Sequence, residues 1–154
     1  MNQERHIILA DSSPIRSDEM ERLARSLCPV TPLSVKMFEA YRAFDKSVVA
    51  QEVAAHIDGL LGQQSDIVVV TNCIMGVQSG LIKALRELEG KYKQSVRKVL
   101  LTCKRPHEIR SGFAERGLSL EGIEHVFWNV LHSSLHRDRM RSIFQGNPPE
   151  DNPT

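Results

Sequence analysis

The chain has 154 residues, of which 41% are hydrophobic and 25% charged, and its formal net charge is +1. That length suits one domain with a full core, and so small a net charge gives no bulk attraction to nucleic acid or to an acidic membrane. The apolar runs are strand-sized, which excludes a membrane-spanning helix; Met1–Arg5 has no signal-peptide apolar stretch, which points to the cytoplasm; and Cys28, Cys73 and Cys103, widely spaced and without a CxxC pair, exclude a disulfide framework or zinc knuckle.

The first predicted strand is "HIILA", residues 6–10, whose continuous apolar character implies burial on both faces. It ends at Asp11-Ser12-Ser13-Pro14, where Ser13 can cap a helix opening on Pro14. Met20, Leu23, Ala24 and Leu27 give that helix one apolar stripe. A second strand is expected within residues 30–38, with Pro32 as an interruption. Val49, Val53, Ile57, Leu60 and Leu61 mark a second helix that stops near Gly62. "DIVVV", residues 66–70, is the clearest strand, and Leu81, Leu85 and Leu88 line one face of a third helix. A fourth strand is predicted over 97–103, and a fourth helix from Pro106 through Phe113 to a stop at Gly117. A fifth strand is predicted over 123–128, and a last helix over about 133–144. The Pro- and Asn-rich residues 146–154 read as a flexible tail or linker after a single domain at 1–145.

Five strands alternating with five helices imply an α/β fold with a parallel sheet covered on both faces, because each parallel connection needs a crossover. Ligands in such sheets sit beyond the carboxyl ends of the strands, at the switch in strand order. Asp11, Thr71, Asn72, Cys73, Thr102, Cys103, Trp128 and Asn129 are therefore expected to converge.

Four stretches give the chain a family likeness: "IILADSSPIR", "DIVVVTNCIMGVQSG", "VLLT" and "GIEHVFWNV". Together they resemble the receiver domain of two-component response regulators over residues from about 5 to 145. The resemblance implies a flavodoxin-like doubly wound sheet with strand order 2-1-3-4-5. It also implies a phosphate switch built from an acidic pair, a phosphorylated Asp, a hydroxyl residue and a Lys. With Asn72 at the phospho-Asp position, Met75 and Gly80 fall on the family's Met and Gly, and Gly76 on its Pro. Anchoring on Asp66 instead would put Thr71 there. Asp11 keeps the first acid, Ser12 replaces the second, Thr102 keeps the hydroxyl, and Trp128 or Asn129 stands in place of the Lys.

An acyl phosphate needs a carboxylate nucleophile, and neither Asn72 nor Thr71 is one. Magnesium prefers six oxygen ligands and is held by carboxylates. Losing one charge from such a site costs on the order of 1–4 kcal/mol of metal affinity at an effective dielectric of about 20. The expected reading is a degenerate phosphoacceptor pocket of Asp11, Ser12, Asn72, Thr102, Trp128 and Asn129, with no catalytic residue, metal or cofactor. The chain would be no enzyme but a phosphorylation-independent pseudo-receiver in signal transduction or transcriptional regulation. Its partners would be proteins, a second copy or a fused output domain, with no nucleic acid and no membrane. The family likeness assigns the contact face to Arg110, Phe113, Arg116, His125, Arg137 and Arg141. The alternatives are a small-ligand or nucleotide-binding flavodoxin-like protein, against which stands the lack of GxGxxG and GxxxxGK[ST] motifs, or a receiver with a non-standard acceptor.

Other features have plainer explanations. Cys73 and Cys103 end neighbouring strands and can form a redox pair, though small buried Cys is commoner. His132 and His136 have zinc spacing, yet a solvated helix start accounts for them. Lys104 and Arg105 can bring cations to the site or belong to a solvated loop. "RDRMR", residues 137–141, is a partner-binding stripe or a solvated face. Trp128 either plugs the space left by the Lys and phosphate or packs in the core.

Overall fold

In a computed structural model, residues 4–128 and 133–149 are described. Five strands run in chain order: β1 (Arg5–Ala10), β2 (Leu33–Met37), β3 (Asp66–Thr71), β4 (Arg97–Thr102) and β5 (Ile123–Phe127). Between and after them come α1 (Pro14–Leu27), α2 (Lys46–Leu61), α3 (Leu81–Tyr92), α4 (Pro106–Glu115) and α5 (Ser133–Phe144). The strands are parallel in the order β2-β1-β3-β4-β5, a flavodoxin-like doubly wound α/β fold as expected.

Period-two alternation explains the two coats. Ile7 and Leu9, Val68 and Val70, and Val99 and Leu101 face α1 and α5, where Met20, Leu23, Met140 and Phe144 meet them. Ile8 and Ala10, with Ile67 and Val69, face the opposite way onto Val53 and Ile57 of α2 and Leu81 and Leu85 of α3. Leu100 joins Ile109 and Phe113 of α4 on that second side. Strands buried on both faces need continuous apolar runs, which is what β1, β3 and β4 have.

Boundaries moved where local chemistry demanded it. β2 starts only after Pro32, whose carbonyl accepts the Arg5 amide at 3.0 Å. β4 and β5 stop at Thr102 and Phe127, one residue short of the expectation, although the Trp128 amide still donates to the Thr102 carbonyl at 2.9 Å. Ser13 caps α1 as predicted, accepting the Arg16 amide, with Pro14 next. Two short turns were not foreseen: a 3-10 turn at Ala40–Arg42 and a π-helical turn at Ile74–Gln78. Residues 146–149 of the predicted tail are tied back at their start. The Asn147 carbonyl accepts from Arg97 at 2.6 Å, and its side-chain amide donates to Ser142 at 2.9 Å. Among the described residues no helix is long and apolar enough to cross a membrane.

Candidate functional site

Strand order reverses between β1 and β3, and Ala10 is paired with Thr71 at that switch point. Asp11 and Asn72 therefore emerge side by side. Asp11 is buried, and Arg16 grips both of its carboxylate oxygens, Nε to Oδ2 at 2.9 Å and Nη2 to Oδ1 at 3.0 Å. The Ser13 amide adds a third donor at 2.8 Å. A bidentate guanidinium fork of this kind is the strong form of a charge-assisted bond. Among the described residues just beyond β1, β3 and β4, Asp11 is the only acid, and its charge is already neutralised from within.

Asn72 is equally committed. Its Oδ1 accepts the Met75 amide at 3.1 Å and the Ser12 amide at 3.4 Å. Its Nδ2 donates to the Ser12 hydroxyl at 2.6 Å. The backbone carbonyl accepts the Gly76 amide at 2.6 Å, opening the π-helical turn. The side chain thus works as a local cap, with its oxygen engaged twice. Thr71, the alternative acceptor, is 1% exposed and its hydroxyl is enclosed beneath Gly76. Thr102 turns its hydroxyl to the Lys104 amide at 3.0 Å, with the Cys73 thiol 4.0 Å away. Cys73 is half-buried, Cys103 exposed, and both thiols are free.

Trp128 packs in the α1–α5 layer. It lies against the core cluster of that side, with the Arg16 guanidinium 5.9 Å from its ring centre and the His136 ring at 5.5 Å. Its indole N–H donates to Glu19 at 3.2 Å. Glu19 also meets His136 Nε2 at 2.8 Å and Arg137 Nε at 3.1 Å. Burial pushes the Glu19 carboxyl up, but bonds from His136, Arg137 and Trp128 outweigh it and hold it below the ordinary carboxylate value. Asp11, Arg16, Trp128, Glu19 and His136 thus form one contiguous chain of contacts from the switch point to α5. The solvated reading of His136 is corrected: it is 2% exposed, because α5 packs on α1 at that turn. His132 and Asn129 lie outside the described residues.

The expected contact face is mixed. Arg110 and Arg116 are exposed on α4 and just after it. Phe113 is buried in the core against Leu100 and Ile109, and His125 is buried within β5, so neither side chain is displayed to a partner. Burial first, and then the charge of Arg110, push the His125 imidazole below its ordinary value. Arg137 and Arg141 are exposed as well, paired with Glu19 at 3.1 Å and with Asp138 at 2.9 Å, while Arg139 reaches Glu124 at 3.4 Å. Lys104 and Arg105 are exposed, and the Arg105 amide donates to Glu108 at the start of α4, as a solvated loop would.

Arg16 is the residue that sequence reasoning missed. A cation in the first turn of a helix opposes the helix dipole, and α1 has no acid in that turn to answer it. An Arg so placed needs an anion nearby, and Asp11 five residues earlier was the signal.

Among the described residues no three His, Cys, Asp or Glu side chains gather as a metal-binding group. No protein-family model matches the chain, and no curated protein matches it. Among solved structures it is similar to one described as the crystal structure of a response regulator from Colwellia psychrerythraea. The identity is 11% and the TM-score 0.48, covering 93% of this chain and 98% of that one.

Proposed function

We propose that the chain is a receiver-like, non-catalytic module that works through protein contacts, without aspartyl phosphorylation. The observation that carries this reading is the bidentate grip of Arg16 on Asp11, beside an Asn72 whose amide is used up in local bonds. In a phosphate switch the strand ends hold an unpaired carboxylate nucleophile and a cluster of negative charge for a divalent cation. Here a fixed guanidinium occupies the cation's electrostatic role, and an amide stands where the nucleophile would be. An amide cannot form an acyl phosphate, and the buried Thr71 hydroxyl is screened from any donor. The strand-end layout and the sequence likeness to receivers support the signalling role, and the protein partner remains part of the proposal.

Beryllofluoride with magnesium tests the reading, since it mimics an acyl phosphate only where a carboxylate and a metal meet. The amide resonances of residues 10–13, 71–76 and 102–104 should stay in place. Saturable shifts confined to those segments would defeat the proposal.

A further inference from the structure

Three basic side chains gather where α2 lies over the edge of the sheet. The register sets His6 beside Ser34 and Ile8 beside Lys36. Ile8 faces α2, while Leu33, Val35 and Met37 of β2 face the other way, so alternation turns His6 and Lys36 toward α2. His56 reaches down from α2 and meets the Phe38 ring edge to face, with ring centres 5.8 Å apart. The Lys36 ammonium lies 5.5 Å from the centre of that same ring. Phe38 in turn packs on the core beneath α2. One aromatic ring thus ties β2 to α2, with a permanent cation and an imidazole both against it.

Among the described residues no carboxylate pairs with any of the three. Asp66, beside the foot of β1, is bound by Arg5 at 2.8 Å, and Glu39 is paired with Arg42 at 3.1 Å. On α2, Asp58 holds Lys91 of α3 at 3.5 Å and accepts the Tyr92 hydroxyl. Glu4, just before β1, and Glu52, one turn before His56, are exposed and bond to none of the three. The π-helical turn Ile74–Gln78, which also packs on α2, carries no charge. Burial first, and then the charges of Lys36 and His6, hold the His56 imidazole below its ordinary 6.5.

We infer that this cluster is an acid-sensitive latch: a neutral His56 closes α2 on Phe38, and a protonated His56, facing Lys36 and His6 with no carboxylate bound to it, loosens α2 and β2 from the rest of the sheet. The sign follows from linkage. The opened edge takes up the proton before the closed one, so the contact is whole above about pH 6.5 and is lost as the pH falls below it. β2 is joined to the sheet through β1 alone, which makes it an element that can open while β3, β4 and β5 stay paired. The latch uses none of Asp11, Arg16 or Asn72, so it stands whether or not the strand-end pocket is read correctly.

The test is amide hydrogen exchange of the full chain at about pH 7 and about pH 5.5, corrected for the intrinsic rate, together with a titration of the His56 ring by NMR. Amides of residues 33–38 and 49–60 should lose protection several-fold more than those of β4, in step with the His56 titration. The buried His125 acts over the same range, but it lies on β5, the opposite edge of the sheet, and does not produce an excess at β2. His56→Gln cannot take up the proton and should remove the excess. Lys36→Glu, at an exposed position, should raise the His56 midpoint and also remove the excess, a response that packing alone would not give. The proposal is overturned if β4 loses protection equally, if His56 titrates above its ordinary 6.5 in the parent chain, if His56→Gln keeps the excess, or if Lys36→Glu leaves the His56 midpoint where it was.

Discussion

Arg16 sits in the first turn of α1, where the helix dipole disfavours a cation by about 0.3–1 kcal/mol. It stays because the Asp11 carboxylate, 4% exposed, offers both oxygens at hydrogen-bond distance. Removing one partner of a buried pair strands the other, which costs about 3–5 kcal/mol. Arg16→Ala should therefore lose stability of that order in urea unfolding, and the double variant Asp11→Asn, Arg16→Ala should recover part of it; additive losses would mean that the two side chains are not coupled. The buried imidazole of His125 gives a second prediction. Its folded-state value lies below its ordinary 6.5, so the unfolded chain takes up the proton first. Its contribution is complete above about pH 6.5 and is lost as pH falls below that. The Glu19 carboxyl, also lowered, acts with the same sign in a more acid window, below its ordinary 4.5. Thermal melts of the parent and of His125→Gln should converge as the pH drops from 7 toward 5; a constant gap would refute this account of His125. At this scale the meeting of Asp11, Ser12 and Asn72 was legible, because strand ends are. The reach of Arg16 and the burial of His136 were not, since both depend on how α1 packs against its neighbours.

At the scale of elements, the π-helical turn after β3 shows how the site is framed. Gly76 lies so close to Thr71 that an added Cβ would fall 2.9 Å from Thr71 Cγ2 and 3.3 Å from Ile82 Cδ1. Thr71 is β-branched and enclosed, so it cannot swing away. Overpacking costs about 1–3 kcal/mol, against about 0.5–1 kcal/mol gained by replacing a helical Gly. Gly76→Ala should thus lose roughly 1 kcal/mol or more in chemical denaturation, and a stabilised variant would refute the contact. Gly80 then ends the turn at φ +87°, a backbone region open to glycine, and α3 begins. The strands and helices were legible from apolar runs and stripes. The two short turns were not, because each is closed by a backbone bond, the Ser79 amide to the Ile74 carbonyl and the Ala43 amide to the Ala40 carbonyl, that leaves no periodic trace.

For the whole molecule, the order β2-β1-β3-β4-β5 brings Asp11, Asn72 and Thr102 to one end of the sheet. The topology makes the place; the residues there decide its chemistry. Asp11 and Asn72 are held by internal bonds, and Arg16 joins the switch point through Trp128 and Glu19 to α5. Exposed large apolar side chains are spread over the surface, with Ile15 on α1, Phe44 and Val48 at the start of α2, Phe127 on β5 and Leu135 on α5. The most direct test of the central claim is the intact mass of the full chain after incubation with acetyl phosphate and magnesium at neutral pH. The account predicts an unchanged mass, and a stable added phosphoryl group on Asp11 or Thr71 would contradict it.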